Sequence, residues 1–171
     1  RHPGVAVGER FFGYFPMSTH LVVRPDRVAE DGFTDVTPHR TALPAVYNRY
    51  VRTSSDPAYD PAHEDGYMLL RPLFGTAFLL DDLLAEEAFF GARTIALSSA
   101  SSKTAIGLAM LLSARPDRGY HVVGLTSAAN ADFVRGLGYY DRVVTYDATD
   151  GLAADEPIVF TSQAPEGQKR A

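Results

Sequence analysis

A run of hydroxyl-bearing residues with one lysine separates a short apolar segment from an apolar helical pattern. The apolar segment is 94–97, and the run is Ser99-Ala100-Ser101-Ser102-Lys103-Thr104. At the start of a helix, free amide groups and a partial positive charge attract phosphate, to which serine and threonine hydroxyls and a lysine would add. The run is therefore a candidate phosphate site. The alternative is a tight strand-to-helix connection with a serine N-cap, which binds nothing.

A second polar turn, Thr126-Ser127, follows the next apolar segment along the chain, residues 120–125. In a dinucleotide site, an Asp or Glu at this place accepts hydrogen bonds from the adenosine ribose and favours NAD. This sequence has hydroxyls there and no acid, which favours NADP over NAD if either binds. Against this, no Arg or Lys stands beside Thr126, and Arg135 lies at least a turn further along.

Strand and helix patterns alternate through the second half of the chain. Apolar runs predict strands at 94–97, 120–125, 142–146 and 157–160, and the spacing between them predicts helices at 105–113 and 130–137, the latter ended by Gly138. Helical spacing also covers 68–84. Strands that alternate with short helices predict an α/β fold with a Rossmann-like parallel sheet, whose connecting turns after the strands share one edge.

The first third of the chain has a different character. Apolar and aromatic residues predict β-structure within 5–23, as strands at 5–7, 11–15 and 20–23, followed by a polar stretch 24–66 rich in Pro and Asp. The one element expected in that stretch is a short helix around 44–51. Tyr47 and Tyr50 lie three apart in it and are candidate proton donors for catalysis, with core packing as the alternative.

Composition limits the chemistry. The chain has no Cys, which excludes disulfides, a thiolate nucleophile and Cys-ligated zinc, and its five His show no helical ligand spacing, so no metal site is expected. A net charge of −5 argues against binding to nucleic acid or to an anionic membrane. No signal peptide or apolar run of about 20 residues is present, so a cytoplasmic protein is expected.

Two other enzyme classes fit the polar run less well. A nucleoside-triphosphatase loop requires glycines that are missing before Lys103 and upstream of it. A serine hydrolase would place Gly-x-Ser-x-Gly at this turn, and neither glycine is present. Both remain weaker alternatives to a dinucleotide site.

Four sequence motifs occur in the order found in a known superfamily. Residues 8–16 resemble "G-D-R-V-x-G-x-x-P", residues 73–78 resemble "G-T-A-x-x-A", and residues 134–146 resemble "L-x-x-L-G-A-D-x-V-I-D-Y". With the strand, turn and helix of 94–112, the chain resembles the medium-chain dehydrogenase/reductase superfamily, in its zinc-free quinone-oxidoreductase and enoyl-reductase branch. The Ser-Ser-Ala-Ser-Ser-Lys-Thr-Ala stretch at 98–105 resembles the DUF2855-type subgroup.

This resemblance implies a domain organisation and a function. It implies a partial GroES-like β module with a polar insertion at 1–67 and a Rossmann-like dinucleotide-binding half at 68–161. The composition of the last ten residues predicts a disordered tail at 162–171. The resemblance also implies a zinc-independent, NADP(H)-dependent oxidoreductase that transfers hydride to or from a carbonyl or activated alkene of a small-molecule substrate. The alternative is a truncated or diverged Rossmann-like module without catalysis, which serves in assembly or protein interaction. An open sheet edge would suit a homo-oligomer.

The same resemblance implies positions for a cofactor. Thr76 would lie near the nicotinamide, and Thr126 and Ser127 near the adenosine ribose. Tyr146 belongs to the expected cofactor-binding set as well. The residues expected near the pyrophosphate are Ser99, Ser101, Ser102, Lys103 and Thr104.

Overall fold

The computed structural model describes residues 2–149, 152 and 156–162, and the chain divides into two compact units, Arg1–Met68 and Leu69–Ala171. Each unit contains one four-stranded sheet. Most of the tail for which disorder is predicted, residues 163–171, lies outside the described residues. No helix in the described ranges is long and apolar enough to cross a membrane.

The first unit is built on an antiparallel sheet with the strand order β1-β4-β3-β2. Phe33 on β3 pairs with Tyr50 on β4, and their rings stack with centroids 5.0 Å apart. Short 3-10 turns join the strands. The strands are β1 Phe11–Phe12, β2 Pro25–Ala29, β3 Gly32–Asp35 and β4 Arg49–Arg52.

Several predictions for the first unit are wrong. Residues 5–7 and 20–23 form no strand, and the strand expected at 11–15 is limited to Phe11–Phe12. The short helix expected around 44–51 is instead a 3-10 turn, Ala45–Asn48, followed directly by β4. The polar stretch expected to be loop contains the β2–β3 hairpin. The pairing of β4 with β3 places Tyr50 over Phe33, and this distant partner decides the structure against the local helical spacing.

The second unit contains the predicted parallel sheet, with the strand order β7-β6-β5-β8. All four predicted strands and both predicted helices are confirmed, with boundaries that differ by at most two residues. Before the sheet, the helical spacing of 68–84 belongs to one helix, α1, Glu64–Glu86, which continues through Pro72. The other elements are β5 Thr94–Leu97, α2 Lys103–Ala114, β6 His121–Thr126, α3 Ala131–Gly136, β7 Arg142–Thr145 and β8 Ile158–Thr161.

Apolar side chains cover both faces of this parallel sheet. Ile95 and Leu97 of β5 point to one face, where they join a buried cluster that includes Leu108 and Leu112 of α2. Ala96 points to the other face and packs in a second buried cluster. Successive side chains of a strand alternate between faces, so the consecutive apolar residues 95–97 are buried on both sides of the sheet. This packing fixes the position at which β5 ends and the following turn begins.

Candidate functional site

Three neighbouring parallel strands end at the same edge of the second unit's sheet. Leu97 of β5 pairs with Gly124 of β6, and Thr126 of β6 pairs with Thr145 of β7. The turn after each strand therefore lies at this edge, which is where ligands bind in open parallel sheets. The edge brings together the polar turn that follows β5, Ser127 after β6, and Tyr146 after β7.

The turn that joins β5 to α2 is tight and contains a left-handed residue. Ser99 has a φ of 53°, a conformation that non-glycine residues rarely adopt. Its carbonyl oxygen accepts a 2.7 Å hydrogen bond from the amide of Ser102, and the amide of Ala100 donates to the carbonyl of Leu125 at 2.9 Å. Ser102 then caps α2, since its Oγ accepts from the amide of Ala105 at 3.3 Å.

The start of α2 presents unused hydrogen-bond donors. The first α-helical bond runs from the amide of Ile106 to the carbonyl of Ser102. Within the described part of the chain, the amides of Lys103 and Thr104 donate to no protein acceptor, as is usual for the first turn of a helix. The Lys103 side chain is exposed and forms no ion pair with a described residue. This end of the helix combines free amides, the helix dipole and a full positive charge.

Tyr146 reaches from the end of β7 to the turn after β5. Its hydroxyl oxygen accepts a 2.9 Å hydrogen bond from the amide of Ser99 and lies 3.5 Å from Ser98 Oγ. Burial alone would raise the pKa of Tyr146, but the hydrogen bonds from Ser98 and Ser99 outweigh it and lower the pKa. The ring is 42% exposed. The amide of Ser99 thus already holds an electron-rich oxygen at this turn.

Two further residues contact the turn, and sequence reasoning missed both. Asn130 Nδ2 donates to Ser101 Oγ at 3.3 Å, and the hydroxyl of Tyr140 donates to the carbonyl of Ala100 at 2.8 Å. These contacts join residues 29 and 40 positions apart, a distance at which no periodicity or motif gives a signal. The sequence predicts only a helix start at Asn130 and a strand entry around Tyr140.

Two residues expected at the cofactor, Thr126 and Thr76, have side chains that do not face the turn as exposed hydroxyls. The side chain of Thr126 is buried, with 1% exposure, which leaves Ser127 as the accessible hydroxyl after β6. Thr76 lies within α1, where its hydroxyl donates to the carbonyl of Pro72 at 3.1 Å. No described contact links Thr76 to the turn after β5.

The two candidate proton donors belong to the first unit, and they differ in exposure. Tyr50 is fully buried on β4, its hydroxyl donates to the carbonyl of Tyr14 at 3.1 Å, and burial raises its pKa. Tyr47 is 44% exposed in the 3-10 turn, and its ring lies 5.2 Å from that of Tyr14. Tyr50 therefore has the packing role that was the alternative for both tyrosines.

A buried arginine holds the segments that carry these aromatic residues. Arg40 Nη2 donates to the carbonyl of Tyr47 at 2.6 Å and to that of Tyr14 at 3.4 Å, and its Nε faces Asp35 at 3.4 Å. Burial would raise the pKa of Asp35, but hydrogen bonds from Thr37 and from the amide of Arg24 lower it overall. Asp35 is thus held as an anion opposite Arg40. Among the described residues, no group of three His, Asp or Glu side chains could hold a metal ion.

Comparisons with known proteins give a family match and a weak likeness to solved structures. A family model described as "Protein of unknown function (DUF2855)" matches residues 1–170. Among solved structures, the chain is similar to the yhdH oxidoreductase from Salmonella enterica in complex with NADP, with 18% identity and a TM-score of 0.39. That likeness covers 60% of this chain and 32% of the other, so the chain spans about a third of that structure. A comparison with curated proteins found no significant match.

Proposed function

The chain belongs to the DUF2855 family, and we propose that it binds NADP(H) at the turn between β5 and α2 as a zinc-independent oxidoreductase. The observation that supports this proposal is the convergence of polar groups at one edge of a parallel sheet. Hydroxyls, free amides and the Lys103 ammonium meet where α2 begins, beside the ends of β6 and β7. This is the place at which an open parallel sheet receives a dinucleotide.

The donor groups fit a pyrophosphate. The amides of Lys103 and Thr104 lack protein acceptors within the described chain, and Lys103 supplies charge. The amide of Ser99 donates to the phenol oxygen of Tyr146, so we assign the hydroxyl of Ser99, rather than its amide, to the ligand. We assign the pyrophosphate to Ser99, Ser101 and the first turn of α2, with Ser102 shaping that turn as its N-cap.

The ribose end of the site follows from β6. Ser127 and Asn130 are exposed there, and the turn 127–130 contains no carboxylate. An acid at this place would repel a 2′-phosphate, so its absence favours NADP(H) over NAD(H). When bound, the cofactor would supply or accept the hydride, while the protein orients it and excludes water.

The proposal also covers the two units, the substrate and the proton donor. We assign the first unit to a partial GroES-like module over 1–67 and the second to a Rossmann-like half over 68–161, related to medium-chain dehydrogenase/reductases. The substrate would be a small carbonyl or activated alkene, and Tyr47, whose side chain is exposed, is the better candidate of the two tyrosines for a proton donor. A homo-oligomer formed through an edge of the parallel sheet belongs to the proposal too.

Hydrogen bonds within the turn after β5 favour a second function, that of a module without catalysis. The hydroxyl of Tyr146 accepts the Ser99 amide and Asn130 bonds to Ser101, so part of the turn is satisfied without any ligand. A turn completed by the protein itself suits a Rossmann-like module that has lost catalysis and serves in assembly or protein interaction.

Titration of the chain with NADPH and NADH, followed by calorimetry, separates the two functions. The proposal expects saturable binding with NADPH the tighter ligand. Lys103→Glu reverses a charge beside the pyrophosphate and is expected to weaken NADPH binding by at least about tenfold, after allowance for solvent screening. The matched control is Arg93→Glu, the same charge reversal at an exposed arginine. Arg93 lies just before β5, at the end of the sheet where this strand begins and away from the turn after it.

The outcomes of this titration are distinct. Binding that Lys103→Glu weakens and Arg93→Glu leaves within about twofold supports the cofactor site at α2. Equal weakening by both variants would show that only the overall charge of the protein matters, and would refute a cofactor contact at Lys103. No binding of either cofactor at millimolar concentration would refute the oxidoreductase proposal and leave the interaction module.

A further inference from the structure

Tyr140 lies directly against the turn that follows β5. Its hydroxyl donates a 2.8 Å hydrogen bond to the carbonyl of Ala100. Burial strongly raises the pKa of Tyr140, so the phenol stays protonated and remains a donor at neutral pH. The amide of Ala100 donates to Leu125 of β6 at the same time. Both backbone polar groups of Ala100 are therefore held, one by β6 and one by Tyr140.

Gly124 of β6 provides the space for this arrangement. A Cβ at Gly124 would lie 2.8 Å from Cδ1 of Tyr140 and 3.0 Å from the Cβ of Ala100. These separations are too short for ordinary carbon contacts, so glycine permits the ring of Tyr140 and the methyl of Ala100 to pack over β6. The close approach that a turn glycine would normally allow is obtained here by a glycine in the adjacent strand.

The turn has particular need of such support. Ser99 adopts a left-handed backbone that glycine adopts without penalty and serine does not. Backbone conformations of this kind persist where neighbouring groups hold them in place. Ala100, which Tyr140 and β6 hold, is the next residue, and Ser99 belongs to the proposed phosphate site.

We propose that Tyr140, seated on Gly124, is a positioning residue that holds the glycine-poor turn in the shape that receives a phosphate. The identity of the ligand rests on the proposed function, whereas the support of the turn does not. Among the described residues, Tyr140 is the only donor to the carbonyl of Ala100. Its role is to orient the amides and hydroxyls of the turn rather than to touch the cofactor.

Tyr140→Phe tests the proposal, because it removes the hydroxyl and keeps the ring. The matched control is Tyr139→Phe, since Tyr139 also packs against the core of the second unit but its hydroxyl has no hydrogen-bond partner among the described residues. The first readout is hydrogen exchange of the Ser99 and Ala100 amides in the protein without cofactor. The second is the Kd for NADPH.

The expected result is local. Tyr140→Phe should speed exchange at the two turn amides by several-fold while amides within β6 keep their protection, and Tyr139→Phe should change neither. The Kd for NADPH should rise by about three- to tenfold, the effect of losing one hydrogen bond that orders a site. Faster exchange across the whole sheet would reveal a general loss of stability and would overturn the local positioning role.

Amide exchange in the turn tests the positioning role, and the Kd for NADPH tests its link to the ligand. Unchanged turn exchange in Tyr140→Phe, or the same change in Tyr139→Phe, overturns the positioning role whether or not a cofactor binds. Faster turn exchange in a protein that binds no NADPH supports the positioning role and refutes the proposed ligand. If the wild type binds NADPH and Tyr140→Phe binds it with the same Kd, the link between the turn's shape and cofactor binding is refuted.

Discussion

Replacing Gly124 with alanine perturbs the packing between β6 and the turn that carries the candidate site. The new methyl group would meet the ring of Tyr140 at 2.8 and 3.0 Å and the methyl of Ala100 at 3.0 Å. Forcing one extra methyl into a packed interior costs about 1–3 kcal/mol. A displaced ring also strains the hydrogen bond from Tyr140 to the Ala100 carbonyl, which is worth about 1 kcal/mol. The expected loss of unfolding free energy is about 2–4 kcal/mol.

Urea unfolding followed by far-ultraviolet circular dichroism measures this loss. With a slope of about 2 kcal/mol per molar urea, the midpoint for the second unit should fall by about 1–2 M. The control is Gly75→Ala in α1 of the same unit, where an added Cβ meets nothing within 4 Å. Because alanine is the better helix former, this variant should be more stable by about 0.5–1 kcal/mol. Ala100→Gly should recover part of the Gly124→Ala loss by removing one of the contacts.

Unfolding of Gly124→Ala at the wild-type midpoint would refute the predicted steric cost at Gly124. An additional loss from Ala100→Gly without any recovery would refute it too, because the cost would then not arise from the contact with Ala100. A fall in midpoint for Gly75→Ala as large as that for Gly124→Ala would show that the second unit is sensitive to any substitution of glycine.

Two further predictions concern the stability of the second unit. Ser102→Ala removes the N-cap of α2 and should lower the unfolding free energy by about 1 kcal/mol in the same urea assay, whereas Ser102→Asp should retain most of it; equal losses would argue against a capping role. Asp141 is partly buried, which raises its pKa, but hydrogen bonds from the amide of Val122 and from Arg118 lower the pKa overall. Because the folded pKa is depressed, its contribution is fully present above the unfolded pKa of about 3.9 and is lost as pH falls through the folded value. Urea midpoints at pH 7 and pH 3 should therefore differ less in Asp141→Asn than in the wild type, and an equal difference would contradict this assignment.

Local sequence patterns gave the architecture of the second unit but not that of the first. Elements from β5 to β8 alternate apolar runs with helical spacing, and these patterns repeat within about ten residues, the range over which backbone periodicity is encoded. The first unit lacks this alternation, and its strands are only two to five residues long. Tyr50 fits a helix by its spacing to Tyr47, yet its pairing with Phe33 makes it part of a strand.

The candidate site shows the same division. Hydroxyls and a lysine after β5, with no acid after β6, are visible in the sequence because turn chemistry depends on residue type at a local position. The contribution of Gly124 is not visible, because it depends on which side chains the fold packs above it.

The sequence by itself determined that a parallel sheet would carry a polar, glycine-poor turn at the start of a helix. Only the tertiary structure decided which residues complete that turn. Asn130, Tyr140 and Tyr146 reach it over 29, 40 and 47 positions. The three residues belong to different segments of the chain that meet at the same edge of the sheet. Such contacts depend on the order of strands in the sheet, and that order is set by the packing of the whole unit rather than by any local pattern.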